Sequence, residues 1–190
     1  MKQLLLLIVI TGFIACKSKT KVEATPETGN PVTDTIVAKP DPAPTTGSGK
    51  IDIESFGDIK LGQHYTETIK ALGKPDSKSK AVEWGADGLM HEDWTWTGKG
   101  LSLNMSSDKA NVESSLSLFS ITAKSPCSFK TRAGVGIGSS YAEVQDAYKR
   151  DIDATATDKT QITVGSVYGG IIFTFKEDKV TTVFLGAAAE

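Results

Sequence analysis

The sequence predicts an α+β fold in which two tandem helix-plus-antiparallel-strand repeats place their helices on one side of a sheet. The first observation is an internal match, because residues 59–72 align without gaps with residues 135–148. Internal similarity of this kind is typical of repeated structural units. Identical residues occupy four aligned positions: Gly62/Gly138, Tyr65/Tyr141, Glu67/Glu143 and Ala71/Ala147.

The segments that follow the two copies supply the second and third observations. Apolar and polar side chains alternate there, for example in 93–96 and 101–105. Period-2 alternation is typical of strands with one buried face. No helical pattern separates these strands, which favours antiparallel pairing over a parallel βαβ arrangement.

The N-terminus has the composition of a secretory signal. Met1 and Lys2 precede an apolar run that ends at Ala15, shorter than the about 20 residues a membrane span needs. Residues 1–15 are therefore predicted to be a signal peptide. Residues 13–16, Phe-Ile-Ala-Cys, resemble the lipobox of bacterial lipoproteins, with phenylalanine in place of the commoner leucine. This resemblance implies that Cys16 is lipidated, and the alternative is an ordinary secretory signal with an incidental cysteine.

Residues 16–50 are predicted to form a disordered tether behind Cys16. The segment is rich in proline and threonine and holds five of the seven prolines but no aromatic residue. Such a composition cannot bury enough apolar surface to offset the entropy of ordering the chain. Asp34-Thr35-Ile36 matches an O-glycosylation triplet of exported proteins, a match short enough to arise by chance.

The first repeat is predicted over residues 51–126. Tyr65, Ile69 and Leu72 have the spacing of one helix face, and Gly73 follows at the usual C-terminal cap position. Strands are predicted at 81–85, 91–96, 101–105 and 116–123. The glycine-containing residues 97–100 are expected to close a hairpin.

The second repeat is predicted over residues 127–190. Ser140 and Glu143 have the spacing of a capping box at the start of its helix. Strands are predicted at 161–164, 171–175 and 180–185. Cys127, at the junction of the two repeats, has no partner if Cys16 is lipidated, and we expect a buried, inert thiol.

Two short motifs carry a family resemblance. Residues 72–76, Leu-Gly-Lys-Pro-Asp, with 93–96, Asp-Trp-Thr-Trp, resemble the signature of small outer-membrane lipoproteins of the SmpA/OmlA (BamE) type. The doubled layout is similar to that of the β-lactamase inhibitor protein, which implies one concave sheet. The C-terminal strand and tail, residues 180–190, resemble those of uncharacterised Gram-negative lipoproteins.

Several chemistries are not supported by the sequence. The formal net charge is −2, and no basic stripe with interleaved aromatics indicates a nucleic-acid partner. Gly134, Gly136 and Gly138 do not fit a dinucleotide-binding loop, because the surrounding pattern is not βαβ. The run His91-Glu92-Asp93 is too short for a zinc site and is expected to be solvated. No catalytic residue, metal or cofactor is therefore predicted.

Three tryptophans are the predicted binding residues. Trp94 and Trp96 lie two apart, on one face of a strand, and Trp84 is nearby in sequence. One interpretation places them in the sheet core under the helices. The other exposes them to a partner, where tryptophan is often a binding hot spot.

Together these features predict a non-enzymatic, lipid-anchored cell-envelope protein that binds another protein or an envelope component through a sheet face. The anchor is expected in the outer membrane, with the folded region facing the periplasm. One alternative is a secreted-type enzyme inhibitor with a concave sheet, favoured if Trp94, Trp96 and the turn at 176–179 are exposed. A second alternative is an enzyme, favoured if His64, His91 and carboxylates share one cleft.

Overall fold

The computed structural model describes residues 54–109 and 112–188. Within this part of the chain there are two α-helices, α1 (Tyr65–Leu72) and α2 (Tyr141–Tyr148). Short 3-10 turns lie at Thr97–Lys99 and Glu113–Ser115. The strands are β1 (Ser77–Lys78), β2 (Val82–Glu83), β3 (Met90–Trp96), β4 (Leu101–Ser107), β5 (Ser117–Lys124), β6 (Gln161–Ser166), β7 (Gly169–Lys176) and β8 (Lys179–Gly186).

The described strands form one eight-stranded antiparallel sheet in the order β1-β3-β4-β5-β8-β7-β6, with β2 also paired to β3. The prediction of two tandem helix-plus-strand repeats is therefore wrong. Strand residues dominate the fold, and the two described helices contribute only eight residues each.

The pairing of β5 with β8 explains the error. Residues Ile121–Lys124 pair with residues 182–185, so strands distant in sequence become neighbours in a single sheet. Period-2 alternation identifies a strand and its buried face, but it does not identify the neighbouring strand. The similarity between residues 59–72 and 135–148 marks two similar helices, and it does not extend to two complete structural units.

The register separates the sheet into two faces. One face carries an apolar core, and α1 and α2 pack on it: Tyr65 contacts Trp94, and Tyr148 contacts Phe173. Cross-strand partners on this face are apolar as well, as in the pair Trp94 and Leu103. The buried strand residues here include Trp94, Trp96, Leu101, Leu103, Ile121, Ile162, Val164, Ile171, Phe173, Val183 and Leu185.

Both helices begin where the sequence predicts, and each has a side-chain cap. Ser140 accepts a hydrogen bond from the Glu143 backbone N–H while the Glu143 carboxylate accepts one from the Ser140 N–H, which confirms the predicted capping box. In α1 the cap is His64, whose ring accepts from the Thr66 N–H. Gly73 ends α1 with φ 80°, a left-handed value that favours glycine.

Residues 54–59 bring the chain into the core. Phe56 and Ile59 are buried, and the Gly57 N–H donates to the Lys130 carbonyl at 2.9 Å. Glu54 is buried too, and its carboxylate accepts hydrogen bonds from the Arg132 N–H at 2.7 Å and the Tyr148 hydroxyl at 3.2 Å. Burial raises the pKa of Tyr148, so its hydroxyl remains a donor.

Several predictions concern other parts of the chain. The signal peptide at 1–15, lipidated Cys16 and the tether at 16–50 lie outside the described residues. The domain boundaries proposed after residues 15, 50 and 126 stay predictions.

Among residues 54–109 and 112–188, none of the helices has the length and apolar character that crossing a membrane requires. Cys127 is a buried free thiol, as expected, and burial raises its pKa.

Candidate functional site

The sheet face opposite the helices, called the open face below, is polar. The register places on it side chains that alternate with the core residues of the same strands. Of these twelve residues, seven are half-buried, four are buried and one is exposed, and nine carry hydroxyl, amide or carboxylate groups. They are His91, Asp93, Thr95, Ser102, Asn104, Ser106, Ser120, Thr122, Ile172, Thr174, Thr182 and Phe184.

Three aromatic rings meet at one end of the open face. Trp84 stacks on His91 with ring centroids 3.7 Å apart and planes 9° from parallel. Phe119 contacts both rings edge-on, at 5.8 Å from Trp84 and 4.8 Å from His91. Phe119 reaches this face because β5 is irregular where it pairs with Asn104 and Met105.

Residues 84–89, which connect β2 to β3, hold Trp84 in this position. The Trp84 N–H donates to the Leu89 carbonyl at 2.9 Å, and the Gly88 N–H donates to the Trp84 carbonyl at 2.8 Å. Gly88 has φ 70°, which favours glycine at this tight turn. We call residues 84–89 the Trp84 loop.

Hydrogen bonds join the Trp84 loop to the sheet through His91. The His91 Nε2 lies 3.0 Å from Asp87 Oδ2, and its Nδ1 lies 2.6 Å from Asn104 Oδ1. The Asn104 amide is itself oriented, because its Nδ2 donates to Asp93 Oδ1 at 2.9 Å. We call Trp84, Asp87, His91, Asn104 and Phe119 the His91 cluster.

Two oxygen atoms hold the His91 ring in place. The Leu89 N–H lowers the pKa of Asp87 more than burial raises it, and the contact with His91 lowers it further, so Asp87 is a carboxylate. One ring nitrogen of His91 faces this carboxylate and the other faces the Asn104 amide oxygen, so the ring is fixed between the Trp84 loop and β4.

Trp94 and Trp96 lie in the core, so the interpretation that placed them there is correct. Trp94 is 0% exposed and donates from its indole to Glu92, and Trp96 is 2% exposed and donates to the Gly73 carbonyl at 3.2 Å. Neither ring is available to a partner in this structure. Trp84 alone of the three predicted binding residues is half-buried on the open face.

The expectation that His91 is solvated is wrong, because its exposure is 2%. Its neighbours Asp87, Asn104 and Phe119 were not recognised as site residues from the sequence. The sequence offers one indication of this site, because Asn104 is the amide side chain at a polar position of the alternating run 101–105. Glu92 points to the other face of the sheet, where its carboxylate accepts a hydrogen bond from the Trp94 indole.

A cleft on the helix side is the second candidate. It has a volume of about 290 Å³, and its lining includes Met90 and Leu116 as well as charged side chains. Lys78 forms an ion pair with Glu113 at its edge and lies 3.8 Å above the Trp94 ring. These contacts cover the tryptophan ring and stabilise the sheet end.

No group of three or more potential metal ligands occurs among residues 54–109 and 112–188. No protein-family model, curated protein or solved structure matches the chain. The resemblances to bacterial lipoproteins therefore stay predictions, and the function has to be argued from the residues themselves.

Proposed function

We propose that this protein is a lipid-anchored binding module of the cell envelope, and that its open face around Trp84 binds another envelope protein. The observation that carries the proposal is the position of Trp84, a half-buried indole fixed by stacking at the edge of a polar sheet face. Tryptophans that are rigid and only partly covered are favoured anchors of protein interfaces.

The surroundings of Trp84 also support a protein partner. Hydroxyl side chains of Thr95, Ser102 and Thr122 lie half-buried on the same face and can donate or accept hydrogen bonds. Protein interfaces combine such polar contacts with a few aromatic anchors. No α-helix among the described residues packs on this face.

A binding role fits the two histidines better than catalysis does. The enzyme alternative requires His64 and His91 in one cleft, but these side chains share no contact partner. His64 contacts Thr66, Ser114 and Tyr65, whereas His91 contacts residues of the His91 cluster. The inhibitor alternative is favoured by exposed Trp94 and Trp96, and both rings are buried.

The anchor is the second part of the proposal. Cys16 follows a lipobox-like sequence, and lipidation there would hold the protein in the outer membrane with residues 54–188 in the periplasm. Several acyl chains anchor a protein stably, whereas a single chain holds it only marginally.

Site-specific photo-crosslinking in intact cells tests the binding surface. A photoreactive amino acid at Thr95, on the open face, is expected to give a discrete, protease-sensitive adduct. The same substitution at Lys70, an exposed residue of α1, is the matched control and is expected to give none. Trp84→Ala is expected to lower the Thr95 adduct about tenfold or more, as for loss of a hot-spot side chain.

Three results would contradict the proposal. Equal adducts from Thr95 and Lys70 would remove the preference for the open face. An adduct that resists protease but is removed by a glycan hydrolase or by lipid extraction would replace the protein partner with another class of molecule. Absence of any adduct at Thr95 would leave the open face without a partner.

A further inference from the structure

The sheet has two edges, and they differ in how the described chain covers them. Residues 151–153 run alongside the edge strand β6, where the Gly165 N–H donates to the Asp151 carbonyl at 2.8 Å. The Asp153 N–H donates to the Thr163 carbonyl at 2.9 Å, so backbone groups on the outer side of β6 are satisfied. The opposite edge is formed by the short strands β1 and β2, which both pair with β3.

The hydrogen bonds of Trp84 show which way the backbone of β2 faces. The Trp84 N–H donates to the Leu89 carbonyl, and the Trp84 carbonyl accepts from the Gly88 N–H. Both groups therefore point to the side of the hairpin on which β3 lies. Backbone groups of successive strand residues point to opposite sides, so the Glu83 N–H and carbonyl point away from β3. Among the described strands β2 pairs with β3 alone, and Glu83 is exposed.

The side chains of β2 connect this edge to the open face. Val82 lies directly opposite His91 in the register, so both side chains are on the open face. Trp84 follows two residues later and lies on the same face. Val82 is 58% exposed although it is apolar, and Trp84 is half-buried. We call residues 82–84, with the outward backbone groups of Glu83, the β2 edge.

The chemistry of the β2 edge matches an extended polypeptide. An edge strand binds another strand through backbone hydrogen bonds, and alternate side chains select the partner. Glu83 supplies one N–H and one carbonyl for such bonds. Val82 and Trp84 supply apolar surface for the side chains that an added strand would place on the open face.

The length and charge of this edge make contacts with the side chains necessary. β2 has only two residues, and the exposed Lys80 lies just before it. Short strands and lysine residues discourage indiscriminate pairing at sheet edges. A bound segment therefore needs apolar contact with Val82 and Trp84 in addition to backbone hydrogen bonds.

We propose that the partner protein binds as an added strand: an extended segment pairs with β2 through the Glu83 backbone and places an apolar side chain against Val82 and Trp84. That this segment belongs to an envelope protein rests on the proposed function. The direction of the Glu83 backbone groups does not, because it follows from hydrogen bonds within the described chain.

Two substitutions at Glu83 separate its backbone from its side chain. Glu83→Pro removes the outward N–H, and proline is tolerated on an edge strand where the N–H faces solvent. Glu83→Ala removes the carboxylate and keeps the N–H. With the photoreactive amino acid at Thr95 in intact cells, the adduct is expected to be about ten times weaker, or more, in Glu83→Pro than in Glu83→Ala.

A second proline and a stability measurement control for effects of the ring itself. Ala154→Pro places the same ring in the exposed turn at 153–156, beside the covered β6 edge, and is expected to leave the Thr95 adduct unchanged. The urea midpoint of Glu83→Pro is expected to be close to that of Glu83→Ala. A much lower midpoint would show that the sheet itself uses the Glu83 N–H, which would overturn the proposal.

A photoreactive amino acid at Glu83 reads the β2 edge independently. An adduct with the same protein that Thr95 captures is expected there, and Lys70 on α1 is again the matched control. An adduct at Glu83 without one at Thr95 would support strand addition and contradict the proposed function.

The remaining outcomes separate the binding mode from the proposed function. A Thr95 adduct that Glu83→Pro and Glu83→Ala weaken equally would overturn strand addition and leave the proposed function standing. Absence of an adduct at both positions would overturn both. An adduct of two copies of this chain would make a second copy the occupant and would overturn binding of a different protein at the β2 edge.

Discussion

The two histidines of this protein have the same ring but different surroundings. His64 caps α1: its Nδ1 accepts from the Thr66 N–H, and its Nε2 lies 2.9 Å from the Ser114 carbonyl. His91 joins the Trp84 loop to the sheet, because its ring lies between the Asp87 carboxylate and the Asn104 amide oxygen.

Each histidine also belongs to an aromatic trio, and the trios occupy different environments. His64 contacts Tyr65 at 4.6 Å, and Tyr65 contacts Trp94 at 6.5 Å, which leads into the helix-covered core. His91 lies between Trp84 and Phe119 on the open face. The difference shows that the hydrogen-bond partners supplied by the fold set the role of each ring.

The largest expected effect comes from the tryptophan of the helix-covered trio. Trp94→Ala removes a fully buried side chain and is expected to lower the free energy of unfolding by about 3–5 kcal/mol. Trp84→Ala removes a half-buried ring and is expected to cost less than about 2 kcal/mol. Urea unfolding of the two variants measures the difference.

A loss of unfolding free energy in Trp84→Ala as large as that in Trp94→Ala would contradict the assignment of the two faces. If Trp84→Ala destabilised the protein as much as Trp94→Ala, the Trp84 loop would be part of the core. Tyr168→Ala, at an exposed aromatic in the β6–β7 turn, is the control and is expected to be close to neutral.

Local patterns predicted much of the secondary structure. Tyr65 and Tyr141 begin the two helices, and the alternation around Trp94 and Trp96 identifies core residues. These features depend on residues close in sequence, where spacing alone fixes which side chains share a face. The same reasoning recognised the capping box of α2.

The site could not be predicted because it depends on strand register. His91 and Asn104 are 13 residues apart and meet only because β3 and β4 pair as they do. Phe119 joins them through an irregularity in β5. Alternation identifies which residues of a strand share a face, but it does not identify the residues that they meet on the neighbouring strand.

A smaller effect is expected at His64, which caps α1. His64→Ala removes the acceptor for the Thr66 N–H at the start of α1 and is expected to cost about 0.5–2 kcal/mol. His64→Asn restores a side-chain acceptor that is favoured at this position, so most of that loss is expected to be recovered. Urea midpoints at neutral pH provide the measurement. If His64→Asn is as unstable as His64→Ala, the ring contributes through Ser114 or Tyr65 instead.

The smallest expected effect is at Asp87, an exposed carboxylate that contacts the His91 ring. The Leu89 N–H, assisted by His91, lowers the pKa of Asp87 in the folded protein below its ordinary value of 3.8. A group with a lowered folded pKa adds stability above its unfolded pKa, and this contribution disappears as the pH falls through the folded pKa. Asp87→Asn is therefore expected to reduce the urea midpoint slightly at about pH 7 and to match the parent near about pH 2. A difference that grows toward acid would reverse the sign and would show that Asp87 does not stabilise the folded protein as a carboxylate. Glu83→Gln, which lacks the His91 contact, supplies the baseline against which that small change is measured.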